Sequence, residues 1–173
     1  SGGGVEYSQE EYEAVKAASE KGILFVAAAG NERSNSDEKD KHYYPADYEL
    51  PNIISVTAVN RESTSVLASS NYGVRTVDLA APGENIYSTM PGGGFGYMTG
   101  TSQATAFVAG VASLIMAHKR DFDYTEVKRY ILSNGDEYAT LLSKTGTAKL
   151  LNSYKALASL DRNVSANGTV ATN

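Results

Sequence analysis

The spacing of apolar residues changes several times along the chain, and each change predicts an element. Ser8-Gln9-Glu10-Glu11 has the form of a capping box, with Ser8 as N-cap and Glu11 at N3. The helix it opens sets Tyr12, Val15 and Ala18 on one face with Ala14 beside them, and Gly22 stops it as a C′ residue. Residues 23–28 (ILFVAA) are an unbroken apolar run, which after a helix predicts a buried strand of a parallel sheet. Residues 31–41 are polar and charged and form a surface loop. Residues 53–59 (IISVTAV) are rich in β-branched side chains and predict a second strand. A short strand at 77–80 is ended by Ala81-Pro82-Gly83, and 86–89 predicts one more. Residues 90–96, with Pro91 and four glycines, predict a turn or hairpin tip. From Ser102 to His118 the sequence is apolar nearly all round, the pattern of a buried helix. Asp123, with Glu126 at N3, caps a further amphipathic helix to about Leu132, and Asn134-Gly135 stops it. Residues 149–160 predict a last helix. Residues 161–173 are small, polar and aperiodic, the pattern of a disordered tail or linker.

Helix, apolar strand, loop and strand in alternation predict one α/β domain over 1–160, built on a parallel sheet between helical layers. The chain opens on Ser1-Gly2-Gly3-Gly4 with no strand before it, so the expected fold lacks its front strands and helices. The 173 residues are too few for two comfortable domains. A net charge of −5 with no Lys/Arg cluster argues against a nucleic-acid surface. The longest apolar run, 108–117, is broken by Gly110 and Ser113 and is too short to span a bilayer. With no cysteine, disulfides and thiolate metal sites are excluded.

Two short motifs carry candidate chemistry. In Ala27-Ala28-Ala29-Gly30-Asn31 a buried strand ends in small residues and presents an amide at its carboxyl end, where ligands of open α/β sheets sit. The Asn31 side chain is a neutral N–H donor suited to a developing oxyanion; the plainer alternative is a turn asparagine. In Gly100-Thr101-Ser102, Ser102 falls at the mouth of the long helix, where unpaired N–H groups favour negative charge; the plainer alternative is that Thr101 or Ser102 is an N-cap.

Together these motifs resemble those of the subtilases, the subtilisin-like serine proteases, in which an oxyanion-hole asparagine and a triad in the order Asp, His, Ser are known. Ser1-Gly2-Gly3-Gly4 resembles the family's Ser-x-Gly-Gly substrate segment, and Ala28-Ala29-Gly30-Asn31 its oxyanion segment. Tyr44-Pro45-Ala46, Ala81-Pro82-Gly83 and Gly100-Thr101-Ser102 with Val108-Ala109-Gly110 resemble three further family segments, in the family's order. Gln103, Ala106 and Phe107 depart from it, standing where the family has Met, Pro and a non-catalytic His. The resemblance covers residues 1 to about 160. It implies an incomplete subtilisin-like fold and a serine endopeptidase acting through an acyl-enzyme. Ser102 is then the nucleophile, and Asn31 with the Ser102 N–H the oxyanion donors. Ser1, Gly2, Gly3, Ala28, Gly30 and Tyr43 border the substrate, with Tyr43 at the floor of the P1 pocket favouring small residues. It further implies a peptide or protein substrate and a secreted or cell-envelope location.

A nucleophilic serine needs a base, and the chain has two histidines. His118 lies sixteen residues beyond Ser102 on the same helix, roughly 24 Å away at the α-helical rise. His42 lies in the polar loop before Tyr43-Tyr44-Pro45. Neither has the family's His-Gly-Thr context, and the strand-Asp motif is also absent; Asp47 and Asp78 are misplaced for it. In the family's order, Asp and His precede the point where this chain begins. The expectation is therefore the C-terminal part of a catalytic domain, inactive alone, partnered by the missing N-terminal part and prone to self-association. A pseudoprotease or a binding domain on the same fold are the alternatives. Asp37, Glu38 and Asp40, interleaved with lysines, predict a solvated loop rather than a metal site. Many family members bind Ca²⁺ through loop oxygens, and the carbonyls near Ala46 and Tyr48 are the candidates here.

Overall fold

Parallel pairing joins the apolar runs. The computed structural model describes residues 1–160, so the segment expected to be a tail, 161–173, lies outside the described residues. In chain order the elements are α1 (Gln9–Glu20), β1 (Phe25–Ala28), β2 (Ile53–Val59), β3 (Leu79–Pro82), β4 (Ile86–Met90), β5 (Gly94–Met98), α2 (Thr101–His118), α3 (Tyr124–Ser133), β6 (Asp136–Glu137), a 3₁₀ turn (Ala139–Leu141), β7 (Lys149–Leu150) and α4 (Ser153–Ala158). The main sheet has the order β1-β2-β3-β7-β6; β1, β2, β3 and β7 are parallel and β6 is antiparallel to β7.

The sheet carries a core on each face. Ile54, Val56 and Ala58 of β2, with Leu79 and Ala81 of β3, pack under Ala104, Val108, Val111, Ala112 and Ile115 of α2. Val127 and Ile131 of α3 and Ala156 of α4 close that layer. The alternate residues Ala27 and Ile53 face the other way, against Val15 of α1 and Ala46 and Tyr48 of the loop. This two-sided burial makes β2 read as a continuous apolar run rather than an alternating one. The fold is thus α/β, a mainly parallel sheet flanked by helices.

Several boundaries differ from expectation. β1 starts at Phe25, and Ile23 is exposed. Residues 94–96, expected as part of a turn over 90–96, belong to strand β5, which pairs with β4, Tyr87 opposite Tyr97. Residues 149–150 are strand rather than helix, because Leu150 pairs with both Ala80 and Asp136; α4 starts only after Asn152, whose side chain caps the Lys155 N–H at 2.8 Å. β2 is paired on both sides, whereas β1 lies at an edge of the sheet.

The largest correction concerns α2, expected to be buried all round. Its buried stripe is Thr101, Ala104, Thr105, Val108, Val111, Ala112 and Ile115. The opposite side leaves Phe107 at 43%, Leu114 at 54% and Met116 at 42% exposure. The sheet, α3 and α4 cover one face of the helix, and no element of the described residues lies over the other.

Candidate functional site

The carboxyl ends of β1 and β3 and the start of α2 meet at one edge of the sheet. The Gly100 N–H donates to Gly83 O just past β3 at 2.8 Å, which brings the β4–β5 hairpin back to the sheet end before the helix begins. Gly100 is the N-cap residue at φ 155°, a backbone region open chiefly to glycine, and offers the helix no side-chain cap. The cap comes from across the chain. Asn31 Oδ1 accepts from the Thr101 N–H at 3.0 Å and from Thr101 Oγ1 at 3.3 Å. Thr101 and Ser102 therefore lie inside the helix and are not its N-cap.

That contact orients the carboxamide. With Oδ1 committed to the helix, Asn31 Nδ2 is left as a donor with no protein partner among the described residues, at an exposed position. Ser102 follows Thr101, and its N–H belongs to the first helical turn, whose N–H groups have no intrahelical partner. Its Oγ donates to Ser1 O at 2.6 Å. Ser1, Asn31 and Ser102, far apart in sequence, are thus brought together at the start of α2, Ser1 and Asn31 exposed and Ser102 half-buried.

The other predicted substrate-side residues form the adjoining wall. Residues 1–4 are exposed and held by a Gly4–Tyr44 bridge, with the Gly4 N–H to Tyr44 O at 2.9 Å and the Tyr44 N–H to Gly4 O at 2.7 Å. Tyr43 is wedged between two glycines. A Cβ on Gly3 would lie 2.7 Å from Tyr43 Cε1, and one on Gly30 would lie 2.7 Å from Tyr43 Cγ. Larger residues at 3 or 30 would displace the ring. Burial raises the Tyr43 phenol above its ordinary value, and the nearby Glu32 carboxylate adds to this. Gly2 touches nothing where a Cβ would stand, and Ala28 is buried at the end of β1.

Asn71 is an organising residue that the sequence pattern did not mark. It is buried, its Oδ1 accepts from the N–H groups of Glu32 at 2.9 Å and Ser34 at 3.1 Å, and its Nδ2 donates to Ala29 O at 2.9 Å. It holds the turn that carries Asn31. A buried asparagine in a Ser/Asn/Gly stretch has no periodic signal to give it away.

Among the described residues no nitrogen base is bonded to Ser102. His118 is the last residue of α2, at the end opposite Ser102. His42 Nδ1 lies 3.3 Å from Asp47 Oδ2. Both line a cavity of about 770 Å³, which Ile53, Asp78 and Lys128 also border. Ile53 begins β2 and Asp78 precedes β3, so the cavity opens at the amino ends of the strands, away from Ser102. Calcium does not fit this cavity. The Lys128 ammonium already donates to Ile53 O and lies 3.7 Å from Asp78 Oδ2, so an added cation would face a fixed one. The Tyr48 carbonyl accepts the Leu50 N–H at 2.8 Å. Asp37, expected to be solvated, is a loop clamp. It accepts from Val74 N–H at 2.8 Å, Arg75 N–H at 3.0 Å and Thr76 N–H at 3.1 Å. Burial raises its carboxyl, but these bonds outweigh that and hold it below its ordinary value.

Burial perturbs Asp47 strongly. Its side chain is 0% exposed, and burial pushes its carboxyl up to about 6, against the bonds from the Tyr43 N–H and His42 that pull it down. The folded chain therefore binds this proton more tightly than the unfolded chain, so stability falls as pH rises from the ordinary 3.8 through about 6. Asp47→Asn, which keeps an acceptor for the Tyr43 N–H, should stabilise the chain at neutral pH by on the order of 2 kcal/mol and add nothing in acid. Urea titrations of both proteins on either side of that window test it; an equal effect at both pH values would contradict it.

A family model described as the subtilase family matches residues 1–155. This chain belongs to the subtilase family. The subtilase chain is 46% identical over 114 residues to the intracellular serine protease of Paenibacillus polymyxa, covering 65% of this chain and 33% of that protein. It is 36% identical over 143 residues to the major intracellular serine protease of Bacillus subtilis, covering 83% of this chain and 42% of that one. Among solved structures it is similar to a chain from the subtilase cytotoxin assembly, with TM-score 0.78, 28% identity and coverage of 91% and 56%. It is also similar to a prenylagaramide maturation protease, with TM-score 0.73, 26% identity and coverage of 89% and 56%. The subtilase chain thus spans a third to somewhat over half of the length of these relatives. Two of the relatives are named intracellular, which does not support the expected secreted or cell-envelope location. Among the described residues no helix is long and apolar enough to cross a membrane.

Proposed function

We propose that this chain supplies the nucleophile, the oxyanion donors and one wall of the substrate cleft of a serine endopeptidase. The reading rests chiefly on one observation, the Asn31–Thr101 contact that sets a free carboxamide donor beside Ser102. Ser102 Oγ attacks a peptide carbonyl as a base takes its proton, Asn31 Nδ2 and the Ser102 N–H hold the oxyanion, the C–N bond then breaks with that proton passing to the leaving amine, and water hydrolyses the acyl-enzyme to a free acid and the Ser102 hydroxyl. Ser1, Gly2 and Gly3 on one side and Ala28 and Gly30 on the other flank the substrate backbone. Tyr43 occupies the space between the glycines and leaves room for small P1 side chains.

The general base and its orienting carboxylate come from outside this chain, so the chain alone does not hydrolyse peptides at enzymatic rates. Its own hydroxyl proton rests on the Ser1 carbonyl, a group that cannot accept it covalently at neutral pH. Incubating the 173-residue chain with a fluorophosphonate probe tests this. Fast stoichiometric labelling of Ser102 would refute it.

The rest of the catalytic domain would also cover surface that this chain leaves open. Among the described residues the outer face of α2 leaves Phe107, Leu114 and Met116 exposed, and the outer edge of β1 is unpaired. The isolated chain should therefore self-associate at micromolar concentration. Size-exclusion chromatography with light scattering should find species larger than 18.4 kDa. A clean monomer would count against the missing-half reading. Gln103 and Phe107, where the chain departs from the family, do not touch the Ser102 hydroxyl: Gln103 Nε2 lies 3.8 Å from Met98 Sδ, and Phe107 is on the exposed face of α2.

A further inference from the structure

We propose that Asp47 is a positioning residue for substrate selection: its carboxylate, with His42, fixes the backbone of Tyr43 so that the ring stays wedged between Gly3 and Gly30. The inference rests on the reading of the Gly3–Tyr43–Gly30 cluster as the P1 pocket.

The geometry grips Tyr43 from both sides of its backbone. Its N–H donates to Asp47 Oδ2 at 2.8 Å, and its carbonyl accepts the Asp47 N–H at 3.0 Å. Asp47 therefore closes a tight loop over residues 43–47, and the next residue, Tyr44, is tied to Gly4 by two backbone bonds. Tyr43 is left with no freedom to withdraw while the carboxylate holds its N–H. The ring itself makes no hydrogen bond among the described residues, so its place depends on this backbone grip and on contact with the two glycines.

The grip is built without solvent access. The Asp47 side chain is fully covered, and its Oδ1 has no hydrogen-bond partner among the described residues. Nothing else in the loop replaces the bond to Tyr43. The His42 ring is in direct contact with the carboxylate, its Nδ1 3.3 Å from Asp47 Oδ2. The charges around it are mixed. Asp37 opposes ionisation of Asp47, and burial, with Asp47 adding to it, raises the Tyr44 phenol. Lys39 and Glu49 line the cavity from the same loop, Arg75 and Asp78 from the segment before β3, and Lys128 from α3. Protonating Asp47 leaves Tyr43 bonded to a neutral acid, a weaker acceptor than a carboxylate. The floor of the pocket should then loosen in acid.

Two experiments test the assignment. In the assembled protease, preference is read as the ratio of kcat/KM for otherwise identical peptides with Ala or Phe at P1. Asp47→Ala should lower that ratio roughly tenfold, because a freed ring admits the larger side chain, and Asp47→Asn should restore it by accepting the Tyr43 N–H. A folded Asp47→Ala protein with unchanged preference would overturn the proposal, as would Asp47→Asn shifting it as far as Asp47→Ala. Tyr43→Gly is the control on the pocket itself. If it leaves the ratio unchanged, the pocket reading falls and the inference with it; if it shifts the ratio while Asp47→Ala does not, only the inference falls. The second experiment needs no catalysis and no variant. In the 173-residue chain labelled with ¹⁵N-tyrosine, the Tyr43 amide signal should titrate with the Asp47 carboxyl near pH 6. An amide signal that stays flat through that range would overturn it.

Discussion

Ser102→Ala should abolish peptide hydrolysis in the assembled protease, with a loss of about 10⁶-fold in kcat and little change in substrate binding; the magnitude is that measured for the nucleophile of subtilisin, itself a member of this family, rather than one derived from this chain. Ser102 Oγ lies at the mouth of α2 together with the Asn31 carboxamide, whose Nδ2 has no protein partner among the described residues. Thr101 Oγ1, its neighbour, is committed to Asn31 and buried. On the proposed reading the same loss should result where no general base is supplied, because nothing then takes the Ser102 proton as its oxygen attacks the carbonyl. The two losses should therefore not multiply: Ser102→Ala in the isolated chain should be no worse than the isolated chain itself. Single-turnover assays with a peptide ester, on the chain with and without its complement, measure both. Residual turnover in Ser102→Ala equal to that of the unaltered assembled protein would remove Ser102 from the mechanism.

Asn31→Leu should lower kcat by about 10²–10³-fold with KM nearly constant, again the magnitude established for the oxyanion asparagine of subtilisin. The substitution here has a second consequence that the structure makes visible. Asn31 Oδ1 also caps Thr101, so leucine removes an acceptor from the start of α2. That loss should cost about 1 kcal/mol of stability, as removal of a helix cap does. Asn31→Asp separates the two effects. It keeps an acceptor for Thr101 but replaces the Nδ2 donor with an anion facing the oxyanion. Its stability should therefore stay near that of the unaltered chain while its kcat falls at least as far as in the leucine variant. Steady-state kinetics and urea denaturation on the same two proteins decide it; an Asn31→Asp protein with near-normal kcat would exclude the carboxamide as the oxyanion donor.

Much of the fold was legible because local signals and burial agree. The Asp123 capping box forms as expected, Asp123 Oδ1 accepting the Glu126 N–H at 2.9 Å, but at Ser8 only the cap itself forms: its hydroxyl accepts the Glu11 N–H at 3.2 Å, while the Ser8 N–H donates to the Tyr48 hydroxyl and that hydroxyl donates to the Glu11 carboxylate. The run at 53–59 is a central strand because both its faces are covered. The failures came where a segment's partner lies far away in sequence. Residues 149–150 became strand through pairing with residues 80 and 136, which no local pattern carries. Residues 94–96 are glycine-rich and became strand because β4 fixed their register.

At the site the division is similar. Motif composition by itself singled out the candidate side chains: a serine at a helix mouth, an asparagine after a buried strand, and no histidine in the family's His-Gly-Thr context. It also determined the parallel α/β class, because continuous apolar runs separated by helices have few other ways to be buried. Only the tertiary structure decided that Asn31 turns its oxygen to Thr101 and leaves its nitrogen free. It alone put the Tyr43 ring between two glycines under the hold of Asp47, and it left one face of α2 bare. The reason is physical. Propensity and periodicity act over a few residues, whereas the direction of a hydrogen bond, the fit of a ring and the cover on a helix depend on atoms brought together by the closing of the whole sheet.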